Sequence, residues 1–547
     1  MRAAAAVLTF AVAGAAGLLA SSAGGELASS TSLRVAGGFL HAGGLHTCAV
    51  LENGRVRCWG SNGSGQLGYG DTEPIGDDET PAAAGPVDLG PGRTARAITG
   101  GATHTCALLD NGRVRCWGSA GSGRLGYGNE DPIGDDETPG SVGPVDLGPG
   151  RTARALAAGT AHTCAVLDNG RVRCWGSNGS GQLGYGDTEP IGDDETPGSA
   201  GPVDLGPGRT ARAIAAGDNV TCALLDNRRV RCWGSASAGK LGYGNPDNIG
   251  DDETPGSVGP VDLGAGRTAR AIAAINGHTC AVLDNGRVRC WGAGGSGRLG
   301  YGNEDTIGDD ETPGSVGPVD LGAGRTARAI AVGFFHTCAV LDNGRLRCWG
   351  EGSDGRLGYG NTNDIGDDET PGTVVPVDLG AGRTARAITA GNSHTCAVLD
   401  NGRVRCWGSG SRLGYGNMED IGDDETPGSA GPVALGRRIA VRGTTRLSAK
   451  AKPRRDRRRP FRFRVRGRVT GVFVADEATC AGRVRLVARQ GGRRVAAKRP
   501  RLSAKRRRCA YAARLRVRRP GKVRIKARLP GSSNLAPAKA KARARAG

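Results

Sequence analysis

Large side chains are what this chain has least of. Phe, Trp and Tyr make up 4% of its 547 residues, and methionine occurs twice. A chain this poor in bulk cannot fill one large core, so burial must come from many small contacts between repeated units. After residue 23 no stretch is apolar enough to cross a bilayer, which excludes a helical membrane bundle. Gly-x-Ser-x-Gly, His-Glu-x-x-His and phosphate-loop patterns are missing, which removes the common signatures of serine hydrolases, zinc peptidases and nucleotide-binding enzymes. Carboxylates and serines abound, but alike in every repeat, and a single active site would need one repeat to differ chemically.

In place of bulk there is periodicity. Cys-Trp-Gly recurs with its tryptophans at Trp59, Trp117, Trp175, Trp233, Trp291, Trp349 and Trp407, a constant step of 58 residues that uses every tryptophan. A fixed period in this range, built from short strands and glycine turns, marks a propeller or a stacked array. The 16 cysteines fall two to a repeat, with two more near the C-terminus. Residues 1–23 read as a secretory signal peptide: Arg2, the apolar run Ala3 to Ala20, then Ser21, Ser22 and Ala23. With that leader removed, no transmembrane segment is expected. The mature protein is then secreted, extracellular or held at the cell envelope, where paired cysteines form disulfides.

The third repeat shows the local logic. Asp168-Asn169-Gly170 is strong turn chemistry and makes His162 to Gly176 a hairpin. A two-residue loop would oppose Cys164 to Trp175. A three-residue loop with Gly170 left-handed opposes Cys164 to Cys174, and this second register is the expected one. It makes Leu167 and Arg171 the closing pair and puts the cysteines about 4.5 Å apart at Cα, within disulfide reach. Seven such bridges are expected, Cys48–Cys58, Cys106–Cys116, Cys164–Cys174, Cys222–Cys232, Cys280–Cys290, Cys338–Cys348 and Cys396–Cys406, with Cys480–Cys509 as an eighth. Metal is not expected, because each repeat offers two cysteines and one histidine at spacings zinc does not use. Pro202 to Leu205 and Ala213 to Ala216 supply two further strands, giving four to a blade.

These residues resemble the regulator of chromosome condensation repeat family. The likeness lies in Gly-x-x-His-Thr, the Asn-Gly hairpin, Val-x-x-Trp-Gly and Gly-Gln-Leu-Gly-Tyr-Gly, over residues 35–440. It implies an all-β fold, a closed seven-bladed propeller, and is similar to exported bacterial members that carry the two cysteines. The founding member's activity, nucleotide exchange on a nuclear GTPase, does not transfer to an exported chain. Closure is expected through Phe39-Leu40-His41 and Arg438-Ile439-Ala440-Val441, one end completing a blade begun at the other. Repeat 4 departs twice: Val220 stands where other repeats have histidine, and Arg228 replaces the loop glycine, so its turn must strain or change type. The remaining histidines read as structural hydrogen-bonders.

Each repeat also carries Ile-Gly-Asp-Asp-Glu-Thr-Pro. Its contiguous acids lack the alternate spacing of calcium loops; they read as a solvated acidic rim or as acids answering arginines such as Arg209 and Arg212, with calcium as the third reading. Against this near-identical background two windows vary. One follows Leu-Gly-Tyr-Gly; the other is the pair before each histidine, including Leu45, Asn219 and Phe334-Phe335. Variation there marks exposed loops, and Leu45, Asn219, Phe334 and Phe335 are the candidate partner-binding residues.

Charge is divided as sharply as sequence. Residues 437–547 carry a net +36 and the remainder a net −16. After a basic linker over 441–460, alternation such as Phe461-Arg462-Phe463-Arg464-Val465-Arg466 indicates half-buried strands. Ala527 to Gly531 with Leu535-Ala536-Pro537 resembles the last strand and turn of bacterial immunoglobulin-like modules. That implies a small basic β-sandwich over 461–547 with a disordered end. The expected partners are a protein or glycan for the ring and an anionic cell-wall polymer or lipid headgroups for the basic module. Nucleic acid is not the expected partner outside the cell, and no cofactor is expected. The chain reads as a non-enzymatic binding or scaffold protein; the alternative is a secreted enzyme or enzyme inhibitor working through propeller loops, as in exported propellers that inhibit β-lactamases.

Overall fold

The computed structural model describes residues 39–439 apart from 276, together with strand segments between 446 and 546. Residues 1–23, expected as a leader, Cys480 and Ala440-Val441 lie outside the described residues. Seven three-stranded antiparallel sheets follow one another, and among the described residues no helix is long and apolar enough to cross a membrane. In blade 3 the strands are Ala153–Ala158 nearest the axis, His162–Leu167 in the middle and Val172–Gly176 outside. Blades 2 and 4 to 7 repeat this order. In blade 1 the inner strand shrinks to Leu40–Ala42.

The hairpin register is the expected one. Cys164 pairs with Cys174 and Val166 with Val172; Leu167 N donates to Arg171 O at 2.8 Å, and Gly170 has φ +85°. Seven disulfides bridge the hairpins with Cα atoms 4.0–4.1 Å apart. Arg228 resolves the anomaly of repeat 4. It keeps the same turn, its N–H donating to Leu225 O at 2.9 Å, and accepts φ +66°. The turn is strained and unchanged in type.

The fourth strand is a correction. Pro202 to Leu205 forms no strand; Val203 N–H donates to Val172 O at 2.9 Å and the pairing stops there. Pro202 lacks an N–H, and Asp204 Oδ1 accepts from Gly206 N at 2.8 Å, turning the chain away. The outer edge is closed by other means. Gly176 and Ile191 exchange two backbone bonds. Between these points the Tyr185 hydroxyl accepts from Cys174 N and donates to Cys174 O, both at 3.2 Å. An edge strand with its backbone so occupied offers little template for another chain.

Blades join through the residues that are most regular in sequence. All seven tryptophans are fully buried. Each packs on the first glycine of the preceding blade's Leu-Gly-Tyr-Gly, where a Cβ on Gly68 would stand 2.6 Å from Trp117 Nε1. Beside this contact runs a histidine belt: His46 Nε2 lies 2.7 Å from Thr105 Oγ1, His104 2.9 Å from Thr163, and His162 2.8 Å from Thr221. Each threonine donates its own proton to a loop carbonyl, as Thr105 does to Gln66 O at 2.8 Å, so the imidazole Nε2 is the donor. The series skips Val220, resumes at His278, and runs from His394 to Thr47 of blade 1 at 2.7 Å. Blade 7 meets blade 1 again where Ala42 N donates to Thr389 Oγ1 at 2.9 Å. Ile439 bridges Leu51, the place Ala95 takes beside Leu109 in blade 2.

The C-terminal residues form two five-stranded sheets. One holds Phe461–Thr470 and Arg508–Val517; the other holds Arg485–Gln490, Gly521–Leu529 and Ala538–Ala546. Short strands lie inside the expected linker at Arg446–Leu447, Lys450–Lys452 and Arg455–Asp456. Ala538–Ala546 pairs along Gly521–Leu529, because Ala-Lys-Ala-Lys alternates with period two like its neighbour.

Candidate binding face

The variable pair before each histidine is the turn from inner to middle strand. Backbone bonds tie several of these turns to the next blade. Gly44 N donates to Gly101 O at 2.9 Å, Thr160 N to Gly217 O at 3.0 Å, Phe334 N to Gly391 O at 3.2 Å and Asn392 N to Gly44 O at 3.2 Å. The four sequence candidates therefore occupy equivalent inner-to-middle turns: Leu45 in blade 1, Asn219 in blade 4, Phe334 and Phe335 in blade 6. All four are half-buried. Asn219 Oδ1 accepts from Gln182 Nε2 at 3.3 Å.

Phe335 is held more firmly than a free anchor. Its ring lies 4.6 Å from Phe334, edge to face, with the Arg298 guanidinium 5.2 Å and the Arg356 guanidinium 5.8 Å from its centre. These arginines come from blades 5 and 6, so the ring sits at the seam between them. Arg356, 4% exposed, also pairs with Glu351 at 3.3 Å and Asp354 at 3.1 Å.

Sequence reasoning missed these cations. They occupy the position before Leu-Gly-Tyr-Gly, which reads Gln66, Arg124, Gln182, Lys240, Arg298, Arg356 and Arg412 around the ring. The signal was a charge change inside an otherwise fixed motif. Burial lowers the pKa of Arg124, Lys240, Arg298 and Arg412, as expected where cations are drawn partly out of water. Blades 5, 6 and 7 thus carry arginine at this position in succession, and the first two, Arg298 and Arg356, flank Phe335.

The histidines behind these turns are fully buried, and burial holds His46, His278 and His394 down to about 3. They stay neutral and bonded between blades.

The acidic loops gather their carboxylates. Their side chains converge: in Asp77-Asp78-Glu79 and in Asp135-Asp136-Glu137 one oxygen from each lies within 4.8 Å of the others. Partial burial, then the hydrogen bond with Asp136, pushes Glu137 up to about 7. The acids do not answer the arginines of Gly-Arg-Thr-Ala-Arg. Arg209 pairs at 3.2 Å with Asp226 of the next hairpin, and Arg212 Nε donates to Asp226 O at 2.8 Å. The reason is position: the arginines flank the inner strand, next to that hairpin loop.

Comparison with known proteins gives these features a setting. The family profile described as RCC1-like domain matches residues 26–364 and 144–452. The ultraviolet-B receptor UVR8 of Arabidopsis thaliana is 30% identical over 384 residues, 70% of this chain and 79% of the receptor. The human E3 ubiquitin-protein ligase HERC2 is 29% identical over 64% of this chain, which spans 7% of the ligase. Among solved structures, that of Kap60 bound to yeast RCC1 (Prp20) superposes with TM-score 0.53 at 19% identity. It covers 71% of this chain and 84% of the other.

Proposed function

The chain belongs to the RCC1-like domain family, and from that premise we propose that it is an exported binding protein, not an enzyme, that grips a protein partner over the mouth of a closed seven-bladed ring. One observation carries this reading: of the two windows in which the blades vary, the inner-to-middle turns are the one where an aromatic pair, Phe334 and Phe335, meets the Arg298 and Arg356 guanidinium groups of blades 5 and 6. Aromatic and arginine side chains at a protein surface are the usual anchors of protein recognition. Closure is supported by the His394–Thr47 bond and by Ile439 beside Leu51. Export is supported by the leader-like sequence of residues 1–23 and by the hairpin disulfides.

In this reading the basic segment is an immunoglobulin-like sandwich, braced by Cys480–Cys509, that holds the molecule on anionic polymer of the envelope. Its net +36 is the support. The test is capture by the immobilised full chain of proteins from the exterior of the producing cell. A companion variant carries Phe334→Asn and Phe335→Ser, the pair of blade 7. A protein held by the native chain and released by the variant supports the reading. Capture that ignores the substitutions overturns it.

A further inference from the structure

We propose that one face of the C-terminal sheet formed by Arg485–Gln490, Gly521–Leu529 and Ala538–Ala546 is a ladder of cations that seats a linear phosphate polymer. This rests on the polyanion reading of the basic segment and assigns it a site. Leu486, Ala488 and Ile525 are buried, while Ala497, in register with Val487, is exposed. Those residues fix which alternate positions belong to which face. In the register these three strands share, the parity of Leu486, Ala488 and Ile525 is apolar, and a cation falls on it in the adjoining strand Arg493–Lys498, where Lys498 stands opposite Leu486. The opposite parity is basic at all four positions of Gly521–Leu529, at all four of Ala538–Ala546, and at Arg485 and Arg489, with Val487 the one exception.

The register sets like charges directly opposite one another, Arg524 against Arg543 and Lys526 against Lys541 among them. Such pairs destabilise a sheet. Strands about 4.8 Å apart with alternate residues about 6.8 Å apart give one charge per roughly 33 Å². A face built this way gains most from anions laid across it. The parity holds no aromatic residue on which bases could stack. It has no apolar wedge to enter a bilayer. What remains is recognition of closely spaced charge, and a flexible single chain of phosphates can follow the twisted rows.

The experiment measures binding of the full chain to inorganic polyphosphate of defined length across a salt series. One variant carries Arg524→Gln, Lys526→Gln, Lys541→Gln and Arg543→Gln. A second removes as many charges from positions outside these strands: Arg499→Gln, Arg501→Gln, Arg506→Gln and Arg507→Gln. The slope of log affinity against log salt should fall by about 3 in the first, using the single-strand coefficient, and much less in the second. Without polymer, the first variant should melt at a higher temperature, since two repulsive pairs are gone. A lower melting temperature, or equal losses in both variants, overturns the ladder and leaves the basic segment a diffuse polyanion binder. No polyphosphate binding by the native chain overturns the underlying reading itself. Stronger binding to anionic vesicles or single-stranded DNA at matched charge overturns the choice of occupant.

Discussion

Acid should loosen the ring, and the belt of buried histidines sets the scale. His46, His278 and His394 are 0–1% exposed and held down to about 3. In the unfolded chain each takes a proton near 6.5. A group whose pKa folding depresses adds stability above its unfolded value and loses it as pH falls toward the folded one. Between pH 7 and pH 5 each histidine therefore withdraws about 2 kcal/mol, and the three together about 6. That is comparable with the whole stability of an ordinary domain. The acidic loops pull the other way: Glu137 and Glu195, raised to about 7 by burial and a neighbouring aspartate, favour the fold at low pH and lose that contribution as pH rises from about 4.5 to 7. Those carboxylates are partly exposed and screened, so the histidines should dominate. The assay is thermal unfolding at pH 7, 6 and 5, with a midpoint that falls throughout. His278→Val, copying blade 4, should flatten the trend by up to about 1.4 kcal/mol per pH unit. A midpoint that holds or rises toward pH 5 would refute the reasoning.

Three further outcomes follow from single contacts. Arg228→Gly should stabilise the ring by about 1 kcal/mol, because a left-handed residue then loses its Cβ; chemical denaturation of the variant checks it. Tyr185→Phe should cost about 1–2 kcal/mol, since one hydroxyl serves both the N–H and the carbonyl of Cys174; an unchanged denaturation midpoint would count against the edge-sealing role. Peptide mapping without reduction should return the seven hairpin bridges, each contributing about 2–3 kcal/mol by loop closure; free thiols in most repeats of the mature protein would contradict them.

Much of the ring was legible because each repeat reports on the same local physics. The Asp-Asn-Gly turn dictates the hairpin register, and the register dictates the cysteine pairing. The strand expected at Pro202 to Leu205 was misread because alternation over four residues cannot reveal that proline and an aspartate turn stop the pairing after one bond. The partner of His162 lies in the next blade and that of Arg209 in the next sequence repeat, 59 and 17 residues away. Reading one repeat alone hides both. The mouth was half legible: Phe334 and Phe335 stand out against their six counterparts, but their pairing with Arg298 and Arg356 depends on how blades 5 and 6 abut.

The central claim is that recognition happens where the blades differ. Once a captured protein is in hand, hydrogen exchange of the full chain with and without it tests that claim most directly. Protection is expected in the axial turns, above all around Phe334-Phe335 and Arg298, with the hairpin tips and acidic loops unchanged. Protection that instead recurs every 58 residues around the outer rim would contradict it.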